Sequence, residues 1–298
     1  MKLGVILINW NHHERTLDAV EYIRKWRTIE PQIVVVDNRS RARNSHAYKK
    51  LKSSSLLLEN DENLGFAGGN NVGVQKALEL DVDYILLQNV DAVLPEVELI
   101  HMLRTLEIHP DIGVTGPVLQ ESQYSELHVG GKDIGIHSKS RISMSKDEVA
   151  AQQGPLAVDY VPGTAFLVRS SIFKECGLLE EAYFFSGSIA DFCYRIRQDG
   201  WRCCIDPKAT ARHDNMHFGG YRDSLYLYYS LRNRFLYISK NHSIRRHSLR
   251  MKWLMMGLNH WLGAAIHGKK QQARAVYLGL RDGWIGKFGN QNHYFISD

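Results

Sequence analysis

Cysteine is scarce in this chain. Four in 298 residues are too few for a disulfide scaffold. Cys203 and Cys204 are adjacent and Cys193 and Cys176 stand apart, a spacing that fits no zinc site. Reduced, structural thiols are expected, and with them an intracellular chain. Long hydrophobic runs are missing as well. The longest apolar stretch, Trp253 to His267, is interrupted by Asn259 and His260 and is too short to span a bilayer. The apolar opening, Leu3 to Ile8, runs into Asn9-Trp10-Asn11 with no small-residue cleavage site, so a first β-strand is expected there rather than a signal peptide. There is no internal repeat and no low-complexity tract. With 44% hydrophobic and 23% charged residues, the composition excludes collagen, a disordered tail protein and a membrane-spanning bundle.

Acidic residues are also scarce, but only at one end. Residues 221–298 carry 13 Lys+Arg and 3 Asp+Glu, a net of +10 inside a chain of net +5. Residues 1–220 are therefore slightly acidic. Such segregation points to an anionic partner for the C-terminal segment, nucleic acid or a membrane surface.

What is present is an alternation of strand and helix patterns. Leu3 to Ile8, Ile33 to Val36, Ser55 to Leu58 and Tyr84 to Leu87 read as strands. Thr16 to Trp26, Ala67 to Leu80 and a stretch from Pro95 to about His109 read as helices. Continuous rather than alternating apolar strands predict a mainly parallel sheet covered on both faces. Ligands of such sheets bind at the carboxyl ends of the strands, where Asp37, the glycine loop and Asp91 fall. Residues 120–155 are polar and weakly patterned, and predict loops and short antiparallel strands. A strand is expected after Pro162-Gly163, a short helix capped by Ser170, a helix from Asp191 to Gln198, and a strand over Arg202 to Ile205. The chain after Tyr221 reads as three helices: Tyr221 to Lys240, Ser248 to His267 and Lys269 to about Trp284.

Glu59 to Gly73 carries the densest signal. Glycines at a helix start allow close approach of a ligand, free N–H groups there attract phosphate, and Asn70 and Asn71 add amides. The segment is neither a Walker loop nor a dinucleotide fingerprint. Asp91 ends Leu86-Leu87-Gln88-Asn89-Val90-Asp91, where one carboxylate can share Mg²⁺ or Mn²⁺ with diphosphate oxygens, or cap the following helix.

Taken in order, these stretches resemble family 2 glycosyltransferases, in particular a rhamnosyltransferase-like bacterial branch. The resemblance runs from Ile8-Asn9-Trp10-Asn11 and Val35-Val36-Asp37-Asn38 through the glycine loop and Asp91. It continues through Gly163 to Arg169, Gly177 to Glu181, and Asp191 to Arg195. It implies an α/β protein of GT-A fold over residues 1–220 with a helical C-terminal segment over 221–298. The activity implied is inverting transfer of a sugar from a nucleotide-diphosphate sugar to a hydroxyl of a glycan or lipid-linked acceptor. Asp37 would bond the nucleotide base, with Asn9 and Asn11 nearby. Asn63, Gly65, Gly68 and Asn70 would line the donor pocket. Asp91 and His213 would face the metal, with His217 competing for the same place.

One departure stands out. Where the family has Glu-Asp-x-Asp, this chain has Ser188-Ile189-Ala190-Asp191, and the position of the expected general base is Ile189. Isoleucine cannot take a proton from an acceptor hydroxyl. Asp191 is the candidate base by a shift of register, and it also suits a helix N-cap. Otherwise Glu180, Glu181 or Asp214 reaches in, or the chain is a nucleotide-sugar-binding pseudoenzyme. No nucleic-acid module is recognised. The basic segment, rich in Trp, Tyr and Leu, is therefore expected to meet an anionic membrane surface or to pack against the body or a second copy. The resulting expectation is a cytoplasmic chain, peripheral on the cytoplasmic membrane face.

Overall fold

A computed structural model describes residues 1–214 and 221–296. The boundary expected at Tyr221, and His217, fall at or inside the stretch outside the described residues. The elements follow in order: β1 (Leu3–Asn9), α1 (His13–Ile23), β2 (Gln32–Asp37), α2 (His46–Ser54), β3 (Leu56–Glu59), α3 (Gly65–Glu79) and β4 (Tyr84–Gln88). Next come β5 (Ala92–Val93), α4 (Glu96–Ile108), β6 (Ile112–Glu121), β7 (Leu127–Gly131), β8 (Arg141–Met144), α5 (Lys146–Ala150) and β9 (Leu156–Ala157). The rest are β10 (Ala165–Arg169), α6 (Ser170–Cys176), α7 (Ser188–Gln198), β11 (Arg202–His213), α8 (Tyr221–Asn241), α9 (Arg246–Ile266) and α10 (Lys270–Ile285).

The strands form one sheet in the order β3-β2-β1-β4-β10-β6-β11-β5. β3, β2, β1 and β4 are parallel; β10 runs antiparallel between β4 and β6, and β6 and β11 are again parallel. The unbroken apolar strands are explained by two cores. Val5, Leu7 and Val35 face Val20 and Ile23 of α1 and Leu99 and Met102 of α4. Ile6, Val34 and Val36 face Val74 of α3 and Phe192 and Ile196 of α7 on the other side. Residues β-branched at successive positions thus serve both faces at once.

Two local expectations are corrected. Ser170 does not cap α6; it is the first helical residue, and Arg169 holds the cap position without a side-chain bond. β11 is longer than its first four residues, because a bulge between Asp206 and Thr210 absorbs Pro207 and pairing with β6 resumes to His213. The polar insert forms β7 and β8, antiparallel as expected.

The three C-terminal helices pack on one another through Phe235, Ile238, Trp253, Val276 and Leu280. They are joined to the rest through α8 and through α9, where Trp253 Nε1 donates to the Gly135 carbonyl at 2.6 Å. Arg232, wholly buried, donates from Nη2 to the carbonyl of Tyr183 at 3.0 Å and from Nη1 to that of Gly289 at 2.7 Å. Its guanidinium lies 4.6 Å from the ring centre of Tyr229.

Candidate active site

The carboxyl ends of β1 and β4 open into a cavity of about 270 Å³. Its floor comes from Ile8, Trp10, Leu87 and Gln88, and one wall from Asn63, Gly65, Phe66 and Asn70 at the start of α3. His12 and Arg15 enter from α1, and Asn89, Val90 and Asp91 from the loop after β4. Phe184, Phe185, Leu225, Tyr229 and Asn292 close the far side, so the C-terminal segment supplies part of the wall. Gln88 Oε1 is buried without a donor among the described residues, while its Nε2 donates to the Ala92 carbonyl at 3.1 Å.

Asp91 is brought to His213 by a two-residue strand. β5 pairs antiparallel with the end of β11, setting Ala92 opposite His213. His213 Nε2 then lies 3.4 Å from Asp91 Oδ1, and Nδ1 lies 3.2 Å from Glu121 Oε1. Arg141 of β8 pairs with the other oxygen of Glu121. Burial works against a charge on His213, but the hydrogen bonds to Asp91 and Glu121 outweigh it and raise its pKa to about 9. Burial likewise opposes charge on Glu121, and His213 and Arg141 hold it down to about 2. Asp91 keeps 24% of its side chain exposed, on the cavity side.

This donor set would suit a hard divalent ion only with loss of a proton. Asp91 offers oxygen, His213 would ligate through Nε2 once the ion displaces the proton held there, and Glu121 on Nδ1 is the kind of outer carboxylate that fixes a ligating imidazole. Among the described residues no cluster of three or more His, Cys, Asp or Glu forms a metal cage. A bound diphosphate would be one source of further ligands.

The other candidate residues divide. Asn63, Gly65 and Asn70 line the cavity with Asp91. Gly65 is required by its backbone: φ is +71°, and a Cβ would sit 2.2 Å from the carbonyl oxygen of Phe184. Two of the N–H groups expected at this helix start to attract phosphate are taken, Gly65 N by Asn63 Oδ1 at 2.9 Å and Phe66 N by Phe184 O at 2.6 Å.

Gly68 is turned from the cavity toward Leu64, whose Cβ would be 2.7 Å from an added Cβ. Asp37 is wholly buried and stands outside the cavity lining. It accepts from Asn9 Nδ2 at 2.6 Å, from Ser40 N at 3.1 Å and from Arg43 Nε at 2.7 Å. Asn9 also accepts from Thr16, and Asn11 takes the N–H of Arg41. As placed, these three tie the β1 and β2 loops together.

Asp191 is neither a helix cap nor a cavity residue. α7 begins at Ser188 with Gly187 at the cap, which puts Asp191 in the first turn, wholly buried. Tyr183 Oη, Asn241 Nδ2 and Arg195 Nε donate to its carboxylate at 3.1, 2.9 and 3.2 Å. Ile189 is buried beside Gly163. Glu180 pairs with Lys240, Glu181 accepts from Asn71, and Asp214 pairs with Arg212. Among the described residues Asp91 is the one carboxylate lining the cavity, and residues 215–220 contain no Asp or Glu in sequence.

Sequence reasoning missed Glu121, His12, Arg15, Phe184, Phe185, Tyr229 and Asn292. Arg15 lies just beyond Asn9-Trp10-Asn11, and the aromatic pair adjoins the altered Ser188-Ile189 stretch, so both carried a signal. Glu121 carried none, being 92 residues from His213.

A sheet whose parallel strands are interrupted by antiparallel β10, with Asp91 just past the end of β4, is the architecture of the GT-A fold. The mannosyltransferase PcManGT from Pyrobaculum calidifontis, solved with GDP-Man and Mn²⁺, shares this fold with a TM-score of 0.62 at 12% identity, over 96% of this chain and 88% of that one. The family model described as "Glycosyl transferase family 2" matches residues 4–177, and the chain belongs to that family. It is similar to the low-salt glycan biosynthesis hexosyltransferase Agl10 of Haloferax volcanii, 24% identical over 78% of this chain and 74% of the relative. It is also similar to the dTDP-rhamnosyl transferase RfbF of Shigella flexneri, 22% identical over 80% of each.

Proposed function

We propose that this enzyme moves a sugar, with inversion, from a nucleotide-diphosphate sugar to a hydroxyl of a glycan or lipid-linked acceptor in surface polysaccharide synthesis. The observation that carries the reading is the pairing of His213 with Asp91, the carboxylate that lines the cavity. Asp91 and His213 would hold Mg²⁺ or Mn²⁺, which supplies charge neutralisation for the departing diphosphate. Asn63 and Asn70 offer amides to the donor, and Phe184, Phe185 and Tyr229 give an apolar wall that excludes water from the reacting centre. The acceptor is met at an anionic membrane surface, to which the chain is peripheral.

Asp191 is not carried into this reading, because its oxygens are committed to Tyr183, Asn241 and Arg195. That same observation, with Ile189 at the expected base position, favours a second reading: a domain that binds nucleotide sugar and turns it over slowly or not at all. The test is release of nucleoside diphosphate from a panel of donors with Mn²⁺ and glycan or lipid-linked acceptors. Transfer that is lost in Asp91→Ala supports the enzyme. Tight donor binding with release no faster than in Asp91→Ala supports the binding domain.

A further inference from the structure

The C-terminal helices bear an apolar face that is exposed among the described residues. On α9, Leu249 and Trp253 turn inward, while Met251, Met255, Leu258, Leu262 and Ile266 recur at intervals of four and three. At 100° per residue these five fall on one narrow stripe. All are exposed, from 41% at Leu258 to 72% at Ile266. On the neighbouring α10, Tyr277, Trp284 and Ile285 are also exposed, and Arg250 of α9 reaches across to the Trp284 carbonyl at 2.7 Å.

Charge distinguishes between occupants. From Ile244 to Lys287 the sequence has nine Lys and Arg and a single acid, Asp282. Asp282 is wholly buried, holds Tyr228 Oη at 2.7 Å and pairs with Arg281, so it offsets one of the nine and leaves eight cations without an acid in this stretch. Exposed Arg245 and Arg246 stand at one end of the stripe and exposed Lys269 and Lys270 at the other. A second copy packed stripe to stripe, in either direction, would bring basic ends against basic ends. An apolar stripe with cations at both ends is met instead by acyl chains beneath anionic headgroups.

We propose that α9 lies in the plane of an anionic bilayer, its Met251–Ile266 stripe among the acyl chains and its terminal cations at the headgroups. This identifies the surface by which the membrane contact proposed above is made, and it rests on that reading. Vesicle binding requires neither donor nor acceptor, so its outcome is independent of the transfer assay.

The test is flotation of the full chain with vesicles of equal parts phosphatidylglycerol and phosphatidylcholine, and with phosphatidylcholine alone. The expected result is strong partitioning to the anionic vesicles that weakens with salt. Leu258→Glu/Leu262→Glu should lower it by more than about tenfold, with thermal melting and nucleotide binding unchanged, since both side chains already face solvent. Equal binding to both vesicle types, no binding, or unaltered binding of the double variant would overturn the proposal. So would light scattering that shows a dimer which the double variant dissociates.

Discussion

The imidazole of His213 presents Nε2 to Asp91, 3.4 Å from Oδ1. Its other nitrogen is held by Glu121, itself held by Arg141. Removing the outer carboxylate therefore loosens a ring that meets the cavity residue directly. Glu121→Ala is expected to weaken Mn²⁺ binding by about tenfold to a hundredfold, read by the paramagnetic signal of free Mn²⁺. Glu121→Gln keeps an acceptor for Nδ1 and should recover most of the loss. Equal affinity in all three proteins would remove His213 from the metal site.

Gly65 carries a positive φ, and an added Cβ would overlap the Phe184 carbonyl that receives the Phe66 N–H. Gly65→Ala should cost at least about 2 kcal/mol of stability. It should also weaken donor binding, because Phe184 has to move from the wall. Denaturant unfolding and nucleotide titration read the two effects separately. A stable variant with unchanged affinity would show that the loop adapts freely.

His128 gives a pH signature. Burial, with help from Arg141, lowers its pKa to about 4, against 6.5 unperturbed. The unfolded chain thus takes up a proton near pH 6.5 that the folded chain refuses until about pH 4. Stability is lost as pH falls through that window. Glu121 and His213 also differ between folded and unfolded chains, but both are present in the wild type and in a His128 variant, so the comparison of the two isolates His128. Relative to His128→Gln, the wild type should lose about 2 kcal/mol between pH 7 and pH 4.5. Parallel stability curves for the two proteins would count against it.

The fold was legible because its signals are local. β-branched runs, helix periodicity and the Asp91 loop each lie within a few consecutive residues, and the order of the motifs identified the family. The site was legible at the start of α3 and in the loop after β4, and misread at the ends of β1 and β2. Asn63, Gly65, Asn70 and Asp91 line the cavity, whereas Asp37 and Asn9 bond each other across the β1 and β2 loops. Nothing in sequence separates an Asp that contacts a ligand from one that fastens a loop, since both favour a strand end. Glu121, Tyr229 and Asn292 reach the site by long-range pairing and helix docking, which no window of sequence contains.

Asp191 is a structural carboxylate by its contacts, and a variant can show it. Asp191→Asn keeps the size of the side chain but removes the charge that Arg195 faces in the interior. It should cost about 1–3 kcal/mol of stability while leaving donor affinity and the pH profile of transfer in place. A base would behave the other way, with intact stability and turnover lowered by orders of magnitude. That second outcome would return Asp191 to the reaction.

Arg232 links the C-terminal helices to the cavity, and its removal should be felt in both. No part of it is exposed, and it donates to the carbonyls of Tyr183 and Gly289 and to Asn233 Oδ1. The segment it grips continues into Phe184 and Phe185, two residues of the cavity wall. Arg232→Met fills similar space but leaves buried carbonyls without their donor, at a cost of about 3 kcal/mol or more. Arg232→Lys should recover little, because an ammonium cannot reproduce the planar fork that reaches several carbonyls and lies over Tyr229. If the two helical layers are coupled as the contacts imply, both variants lose donor affinity along with stability. Loss of stability alone, with the remaining folded protein binding donor at full strength, would mean that the wall holds its shape without α8.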